Sequence, residues 1–148
     1  MVGIGNADRG DDAAGRAVLE QLRGRVPAGV EVVQSDAEVT TLLAGLPGSR
    51  IAVIVDACRS GAPAGTVHRF DVSEGPLPEV RVGLSTHSAG LGDAIELARA
   101  LGELPGRFIV YAIEGQAFGP GAGLSAAVAA VIGSVADRVL LDLAGDES

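Results

Sequence analysis

The chain has 148 residues, of which 47% are hydrophobic and only 3% aromatic, so a single domain over residues 1–148 needs a core of Ala, Val, Leu and Ile. The formal net charge of −8 disfavours binding to nucleic acid, and the lone Cys58 excludes an intrachain disulfide and a multi-cysteine zinc site. No apolar run reaches the length that spans a bilayer and no signal peptide is evident, so we expect a cytoplasmic protein without a membrane partner.

Strands and helices are predicted to alternate along the chain. In chain order the patterns indicate a short strand at 1–4, a helix at 11–22, a strand at 30–35, a helix at 36–46, a buried strand at 50–57, an alternating edge strand at 66–72, a helix at 89–101, a buried strand at 107–113 and a closing helix at 126–143. This order predicts an α/β fold with a mostly parallel sheet and helices on both of its faces.

Polar residues follow the strands of this sheet at one edge. The strands at 1–4 and 50–57 form the natural central pair, and their carboxyl-end loops begin at Gly5 and Asp56. The loop that contains His87 returns to the same edge if the crossovers have the usual handedness. Since ligands bind beyond the carboxyl ends of the strands where the strand order reverses, these loops are expected to line one site.

The first of these loops, GIGNADRGDD at residues 3–12, has two interpretations. A glycine-rich turn between a strand and a helix can cradle a phosphate, but here the spacing departs from G-x-G-x-x-G, and Asp8, Asp11 and Asp12 lie where the phosphates would be. The other interpretation is an ordinary turn in which Asp11 or Asp12 caps the helix. Two adjacent carboxylates exceed what capping needs, which leaves Asp12 as a candidate site residue.

Asp56 and His87 are the other candidates, and each also has a structural interpretation. Asp56 ends an apolar strand and would cap the following loop, whereas His87, in STHSAG, lies where helix caps and surface residues are common. Together with Asp12 they form a set of two carboxylates and one imidazole. Such a set binds borderline divalent metals with open coordination positions, and it serves equally for general acid–base catalysis.

Three further residues are expected to have lesser roles. His68 lies in the alternating strand and is expected at the surface, and Cys58 has no evident base in the sequence, so a buried structural thiol is expected. Glu114 ends a buried strand at the same edge and is a candidate fourth member of the site, although a loop start also favours such a residue. The motifs G-x-S-x-G and H-E-x-x-H do not occur.

Four blocks of the sequence resemble the hydrogenase maturation endopeptidases. They are GIGNADRGDDAAG (3–15), VDAC (55–58), STHSAGLGDAIELARALGELP (85–105) and EGQAFGPGAGLSAAV (114–128), and they keep the order and spacing of that family. The resemblance extends over nearly the whole chain, and the first block combined with the later Asp-Ala and His motifs is specific. The family has more apolar residues before the first glycine than Met1 and Val2, so we expect a short first strand.

The resemblance implies a fold, a reaction and a set of residues. The fold would be a three-layer α/β/α sandwich with a twisted, mostly parallel five-stranded sheet. The reaction would be endopeptidase removal of a short C-terminal extension from a [NiFe] hydrogenase large-subunit precursor after its metal centre has been inserted. The family's metal-contacting residues fall on Asp12, Asp56 and His87. They would contact nickel carried by the substrate, so we expect no permanent cofactor, and we expect a monomer.

Two mechanisms and two other functions stay open at this point. Nickel would act as a recognition handle and also polarise the scissile carbonyl or activate water, or a carboxylate would activate water directly, as in an aspartyl-type endopeptidase. The alternative functions are a non-catalytic α/β module that binds a nucleotide or a protein, and a metal-dependent hydrolase of small amides.

Overall fold

The secondary structure follows the predicted alternation of strands and helices. The structure is a computed structural model, and it describes residues 2–4, 13–27, 30, 33–35, 51–59, 61–73, 75, 91–102, 104–116 and 123–145. In chain order the elements are β1 (Val2–Ile4), α1 (Ala14–Leu22), β2 (Val33–Ser35), β3 (Ile51–Cys58), β4 (Val67–Asp71), α2 (Leu91–Ala100), β5 (Arg107–Glu114), α3 (Ala126–Ala129) and α4 (Ile132–Gly145). The predicted helix at 36–46 lies outside the described residues.

The strands pair in the order β2-β1-β3-β5-β4. The pairs β1–β2, β1–β3 and β3–β5 are parallel, and β4 lies antiparallel to β5 at one edge. The predicted central pair, β1 and β3, is therefore adjacent, with β2 on one side and the later strands on the other. Because the strand order reverses between β1 and β3, the crevice beyond their carboxyl ends is where an open parallel sheet binds its ligands.

The two strands β3 and β5 form the buried centre of the sheet. Every residue after the first in each strand is buried, and the two strands pair from Ile51 opposite Arg107 to Cys58 opposite Glu114. Both sequences are nearly continuous apolar runs, which is the pattern of parallel strands covered on both faces. The charged residues near the end of each run, Asp56 and Glu114, are therefore carried into the interior by the strands themselves.

One face of β3 and β5 packs against α1 and α4. Alternate strand residues, which point to the same face, join the apolar sides of the two helices and of α3 in one cluster. Its buried members are Ala14, Val18, Leu19, Leu22, Val53, Val55, Ala57, Ile109, Tyr111, Ile113, Val128, Ile132, Val135, Ala136, Val139 and Leu143. This cluster confirms the apolar faces that the sequence predicts for the helices at 11–22 and 126–143.

The closing helix is divided, so the prediction of one helix over 126–143 is wrong in this respect. Helix α3 ends at Ala129 and α4 begins at Ile132. Between them the Val131 amide donates a hydrogen bond to the Val128 carbonyl at 3.0 Å, the spacing of a tighter 3₁₀ turn. The tight turn ends the short first helix and lets α4 continue to Gly145 along the core.

A polar network ties α4 to the strands beneath it. The Asp142 carboxylate accepts hydrogen bonds from the Tyr111 hydroxyl and from Arg69, whose Nη2 lies 2.7 Å from Asp142 Oδ1. Burial alone would raise the pKa of Asp142, but the hydrogen bonds from Arg69 and Tyr111 outweigh it and lower that pKa. The Arg138 guanidinium lies 5.6 Å from the centre of the Tyr111 ring, within range of a cation–π interaction. These contacts fix α4 against β4 and β5.

These elements make up the mixed α/β fold that the sequence predicts. The alternating strand predicted at 66–72 is β4, and it lies at the edge of the sheet as expected. Within the described ranges, no helix combines the length and the apolar character needed to cross a membrane.

Candidate functional site

Two carboxylates, those of Asp56 and Glu114, are the buried charged groups of the described part of the chain, with 0% and 1% of each residue exposed. Burying a charge is costly unless hydrogen bonds or opposite charges compensate it. Among the described residues, each buried side-chain nitrogen or oxygen atom has a hydrogen-bond partner. Because both residues lie near the carboxyl end of a parallel strand, this edge of the sheet is the candidate site.

Asp56 lies inside β3 and not at its end, because the strand continues to Cys58. The β1–β3 register pairs Val2 with Ile54 and Gly3 with Val55. Its continuation brings the last residue of β1 level with Asp56. The structure therefore puts Asp56 beside the carboxyl end of β1, at the reversal of strand order that the sequence analysis identifies, while its chemical role stays a prediction.

The other two predicted site residues, Asp12 and His87, lie outside the described residues, and their roles also stay predictions. The N-cap position of α1 falls on Ala13, and the expected capping by Asp11 lies outside the described residues.

Asp56, Cys58 and Glu114 share one face of the sheet. Side chains alternate between the two faces along a strand, and Val55 and Ile113 belong to the cluster under α1 and α4. Asp56 therefore points to the other face, together with Cys58 two residues later. Glu114, next to Ile113 on β5, points to that face as well and is the register partner of Cys58.

The antiparallel strand β4 brings His68 to this group. His68 pairs with Ala112, two residues before Glu114 on β5, and opposite residues of an antiparallel pair point to the same face. His68 Nε2 lies 3.2 Å from Glu114 Oε1, and the two side chains are 25% and 2% exposed. The expectation of a surface histidine is wrong, because β4 folds back along β5 and turns the imidazole toward a buried carboxylate.

The Cys58 thiol is buried, as the sequence analysis expects. Burial is the largest of the causes that raise the pKa of this thiol to about 12, followed by the charge and the hydrogen bond of Glu114 and then the charge of Asp56. The thiol therefore keeps its proton at neutral pH. A thiolate nucleophile needs the opposite environment, in which positive charge lowers the pKa, so Cys58 is not a candidate nucleophile in this state.

A turn at Gly65 holds the end of β5 in place. The Gly65 amide donates to the Glu114 carbonyl at 2.9 Å, and the Glu114 amide donates to the Thr66 carbonyl at 2.8 Å. The φ angle of Gly65 is +87°, and a Cβ atom there would lie 2.7 Å from the Ala127 carbonyl oxygen. Glycine is therefore needed both for the backbone conformation and for the close approach to α3. The main chain around Glu114 is fixed from both sides.

The described edge offers ligands and proton acceptors in a small volume. Asp56 and Glu114 supply carboxylate oxygens, and His68 supplies an imidazole nitrogen. Carboxylates and imidazoles bind borderline divalent metals, and a carboxylate at a cleft also serves as a general base. The arrangement therefore suits metal binding or acid–base chemistry on a bound substrate, and not the cradling of a phosphate.

Comparison with known proteins finds similarity to hydrogenase maturation proteases. A family model described as hydrogenase maturation protease matches residues 17–141. The hydrogenase maturating endopeptidase HybD from Escherichia coli is 26% identical, with a TM-score of 0.81, over 97% of this chain and 90% of its own. The hydrogenase maturation protease HycI from Thermococcus kodakarensis KOD1 is 25% identical, with a TM-score of 0.68, over 96% of this chain and 89% of its own. The comparison with curated proteins finds no significant match.

Proposed function

Because this chain belongs to the hydrogenase maturation protease family, we propose that it removes the C-terminal extension of a [NiFe] hydrogenase large-subunit precursor after nickel insertion. The chain is a peptidase, as the maturation endopeptidases that it resembles are. Its general role, the processing of a hydrogenase precursor, follows from membership of the family. The cut at the C-terminal extension and its dependence on nickel are the proposal.

The buried carboxylate of Asp56 is the observation that carries the proposal. It is fully buried, and it lies where the strand order reverses between β1 and β3. Electrostatic interactions are stronger at such a buried position than in bulk water. A carboxylate there attracts a divalent cation or orients a water molecule, which are the two actions that metal-dependent and carboxylate-dependent hydrolysis require.

In the first mechanism, Asp12, Asp56 and His87 contact the nickel that the precursor carries. Nickel is then part of the substrate, and the three side chains complete its coordination only when the metal centre has been built. This contact selects precursors that are ready for cleavage. A divalent metal held beside the scissile bond also acts as a Lewis acid on the carbonyl or on a water molecule.

In the second mechanism, a carboxylate takes a proton from the attacking water, and nickel serves recognition alone. Asp56 is a suitable base because β3 is paired with a strand on each side and the Asp56 side chain is shielded from bulk water. General-base catalysis of this kind contributes typically about 10²–10⁴-fold to a rate. Both mechanisms require Asp56, and they differ in whether nickel takes part in bond cleavage.

The proposal extends to the organisation of the whole chain. Residues 1–148 form one domain, a three-layer α/β/α sandwich in which α2 covers the face opposite α1 and α4. The buried side chain of Ile95 on α2 supports this layering, as does the burial of both faces of β3 and β5. We place the monomeric protein in the cytoplasm, where it meets the hydrogenase large-subunit precursor.

Site variants test the proposal directly. Asp12→Asn, Asp56→Asn and His87→Ala should each lower the processing of a nickel-loaded precursor by at least about 100-fold, because each removes a contact to the metal or the proton acceptor. Asp137→Asn is the matched control, since Asp137 lies on the outer side of α4, where its 65% exposed side chain pairs with Arg25. This control should process precursor at the wild-type rate.

Two outcomes would count against the assignment. If the three site variants process precursor as fast as the wild-type protein, these residues do not form the site. If the protein hydrolyses small amides efficiently and leaves the precursor intact, it is a metal-dependent hydrolase of small amides. Membership of a peptidase family already disfavours the non-catalytic binding module.

A further inference from the structure

A cluster of three different metal-binding side chains lies at the carboxyl edge of the sheet. Cys58, His68 and Glu114 each offer one ligand atom, a sulfur, a ring nitrogen and a carboxylate oxygen, and these atoms all lie within 4.8 Å of one another. The cluster shares none of its members with the predicted set of Asp12, Asp56 and His87. It is named the Cys-His-Glu cluster below.

The backbone of three strands fixes the members of the Cys-His-Glu cluster. Cys58 and Glu114 are register partners on the parallel strands β3 and β5, and His68 comes from the antiparallel strand β4. All three side chains point to the face opposite the α1–α4 cluster. Sites built on neighbouring strands hold their ligands more precisely than sites on loops. The three ligands therefore meet as a result of the fold and not through the rotation of free side chains.

His68 orients the cluster and connects it to solvent. Its ring stacks on Phe70, with ring centroids 6.1 Å apart and planes inclined by 6°. This contact helps direct Nε2 toward Glu114 Oε1 at 3.2 Å. Because a quarter of the His68 side chain is exposed, an ion can reach the cluster past this residue, whereas Cys58 and Glu114 are buried.

The distances and charges suit a zinc-type ion. In a tetrahedral zinc site the ligand atoms of Cys, His and Glu lie about 3.3–3.6 Å from one another. The nitrogen–oxygen distance of 3.2 Å is close to that value, and the 4.8 Å limit on all three leaves only a small contraction. A thiolate, a neutral imidazole and a carboxylate together carry two negative charges, which balance a divalent cation. Thiolate and imidazole ligands favour zinc over magnesium or calcium.

We propose that Cys58, His68 and Glu114 bind a resident divalent metal ion of the zinc type, with the fourth coordination position open. On binding, the thiol gives up its proton to solvent and a sulfur–metal bond replaces the S–H bond. The carboxylate exchanges its hydrogen bond with the imidazole for a bond to the metal, and the imidazole binds through Nε2 as the neutral ring, with its proton then on Nδ1. The bound ion links β3, β4 and β5 at the edge of the sheet where Asp56 also lies.

The same groups remain satisfied when no ion is bound. The Cys58 thiol is buried next to the Glu114 carboxylate, with its sulfur within 4.8 Å of a carboxylate oxygen. His68 Nε2 lies 3.2 Å from Oε1 of that carboxylate. Metal binding is therefore an exchange of hydrogen bonds and one proton for metal bonds, so the fold does not depend on the ion to form.

Cobalt is the probe that separates this cluster from the predicted nickel site. Chelator-treated full-length protein, without precursor, is titrated with Co²⁺ and then with Zn²⁺. Sulfur bound to cobalt produces an intense near-ultraviolet charge-transfer band, and the set of Asp12, Asp56 and His87 contains no sulfur. The wild-type protein should develop this band with one bound ion, and Zn²⁺ should abolish it by displacing Co²⁺, because thiolate ligands favour zinc.

Variants assign the ligands. Cys58→Ser should lose the band, and His68→Gln and Glu114→Gln should each weaken Zn²⁺ binding by at least about tenfold. Asp56→Asn should keep the band, and Glu96→Gln is the matched control for Glu114→Gln because Glu96 lies on α2 and pairs with Arg99. Circular dichroism and thermal melting verify that each variant is folded. His68→Gln should disturb folding least of the three substitutions, because His68 is partly exposed on an edge strand.

The absence of the charge-transfer band from folded wild-type protein would overturn the proposal. Zn²⁺ binding by Cys58→Ser and His68→Gln that is as tight as binding by the wild-type protein would overturn it too. Loss of the band in Asp56→Asn alone would assign the metal to a different set of ligands and would also overturn it. Because the titration contains no precursor, a negative result would not count against the proposed processing reaction. A negative result in the processing assay would likewise not count against this metal site.

Discussion

Cys58 and Glu114 lie opposite each other at the carboxyl ends of β3 and β5, with the Cys58 sulfur within 4.8 Å of a Glu114 carboxylate oxygen. Both residues are 1% exposed. Their side chains lie next to each other at the last register pair of the two central strands, where the Gly115 amide donates a main-chain hydrogen bond to the Cys58 carbonyl at 3.0 Å. The pair therefore influences the reactivity of the Cys58 thiol and supplies two of the proposed metal ligands. It also lies close to Asp56, two residues before Cys58.

Cys58 should react slowly with thiol reagents in the folded protein. Burial and the raised pKa of about 12 keep the thiolate, which is the reactive form, at a very low population. At mildly alkaline pH, alkylation should be at least about tenfold slower in the native chain than in the chain unfolded by urea. Because Cys58 is the single cysteine, total label measured by mass spectrometry reports this site alone. Equal rates in the two states would contradict the burial described here.

Replacing Gly65 should destabilise the protein strongly. Alanine at this position would be strained at a φ of +87° and would place Cβ 2.7 Å from the Ala127 carbonyl oxygen, a backbone atom that cannot rotate away. The two effects together should lower the free energy of unfolding by about 2–5 kcal/mol, measured by urea denaturation.

Gly61→Ala is the matched control for Gly65→Ala. Gly61 has a similar φ of +93°, but a Cβ atom there has no atom within 4 Å. Gly61→Ala should therefore lower the free energy of unfolding only through backbone strain, by about 1–2 kcal/mol. If the two variants lose the same free energy of unfolding, the close approach of the Gly65 turn to α3 does not contribute to the destabilisation of Gly65→Ala.

Asp142→Asn should weaken the attachment of α4 to the sheet. Arg69 and the Tyr111 hydroxyl would keep only a neutral partner in place of the carboxylate. The expected loss is about 1–3 kcal/mol at neutral pH. Asp137→Asn on the same helix removes only an exposed pair with Arg25 and should cost less than about 1 kcal/mol. Urea denaturation of both variants measures the difference.

The effect of Asp142→Asn should also depend on pH. The pKa of Asp142 is lowered in the folded state from an ordinary value of 3.8. A depressed pKa contributes stability that is present above 3.8 and is lost as the pH falls through the folded-state value. The difference between wild-type protein and Asp142→Asn should therefore shrink on acidification below pH 3.8. A difference that grows on acidification would contradict the network.

The parts of the fold that follow from local pattern were predictable. The apolar runs that become β3 and β5 are unambiguous in the sequence, and the helical spacing of residues such as Val18 and Val135 identifies the sides of α1 and α4 that face the core. The position of Asp56 at the reversal of strand order followed from a rule about connections in parallel sheets. Each of these features depends on short stretches of chain or on general topology.

The Cys-His-Glu cluster could not be predicted, because it depends on pairings between distant strands. The contact between Cys58 and Glu114 requires the β3–β5 register, and the contact between His68 and Glu114 requires β4 to return antiparallel along β5. A strand that alternates polar and apolar residues shows which residues share a face, but it does not show which strand is its neighbour. Glu114 was a candidate from its position alone, whereas His68 carried no signal of its partner.

The dependence of processing on nickel tests the central proposal most directly. Purified [NiFe] hydrogenase large-subunit precursor, with and without inserted nickel, is incubated with the full-length protein, and the mass of the large subunit is measured over time. We expect the nickel-loaded precursor to lose its C-terminal extension in one cut and the nickel-free precursor to stay intact. Cleavage of both forms at equal rates would contradict nickel recognition, and an intact nickel-loaded precursor would contradict the proposed function itself.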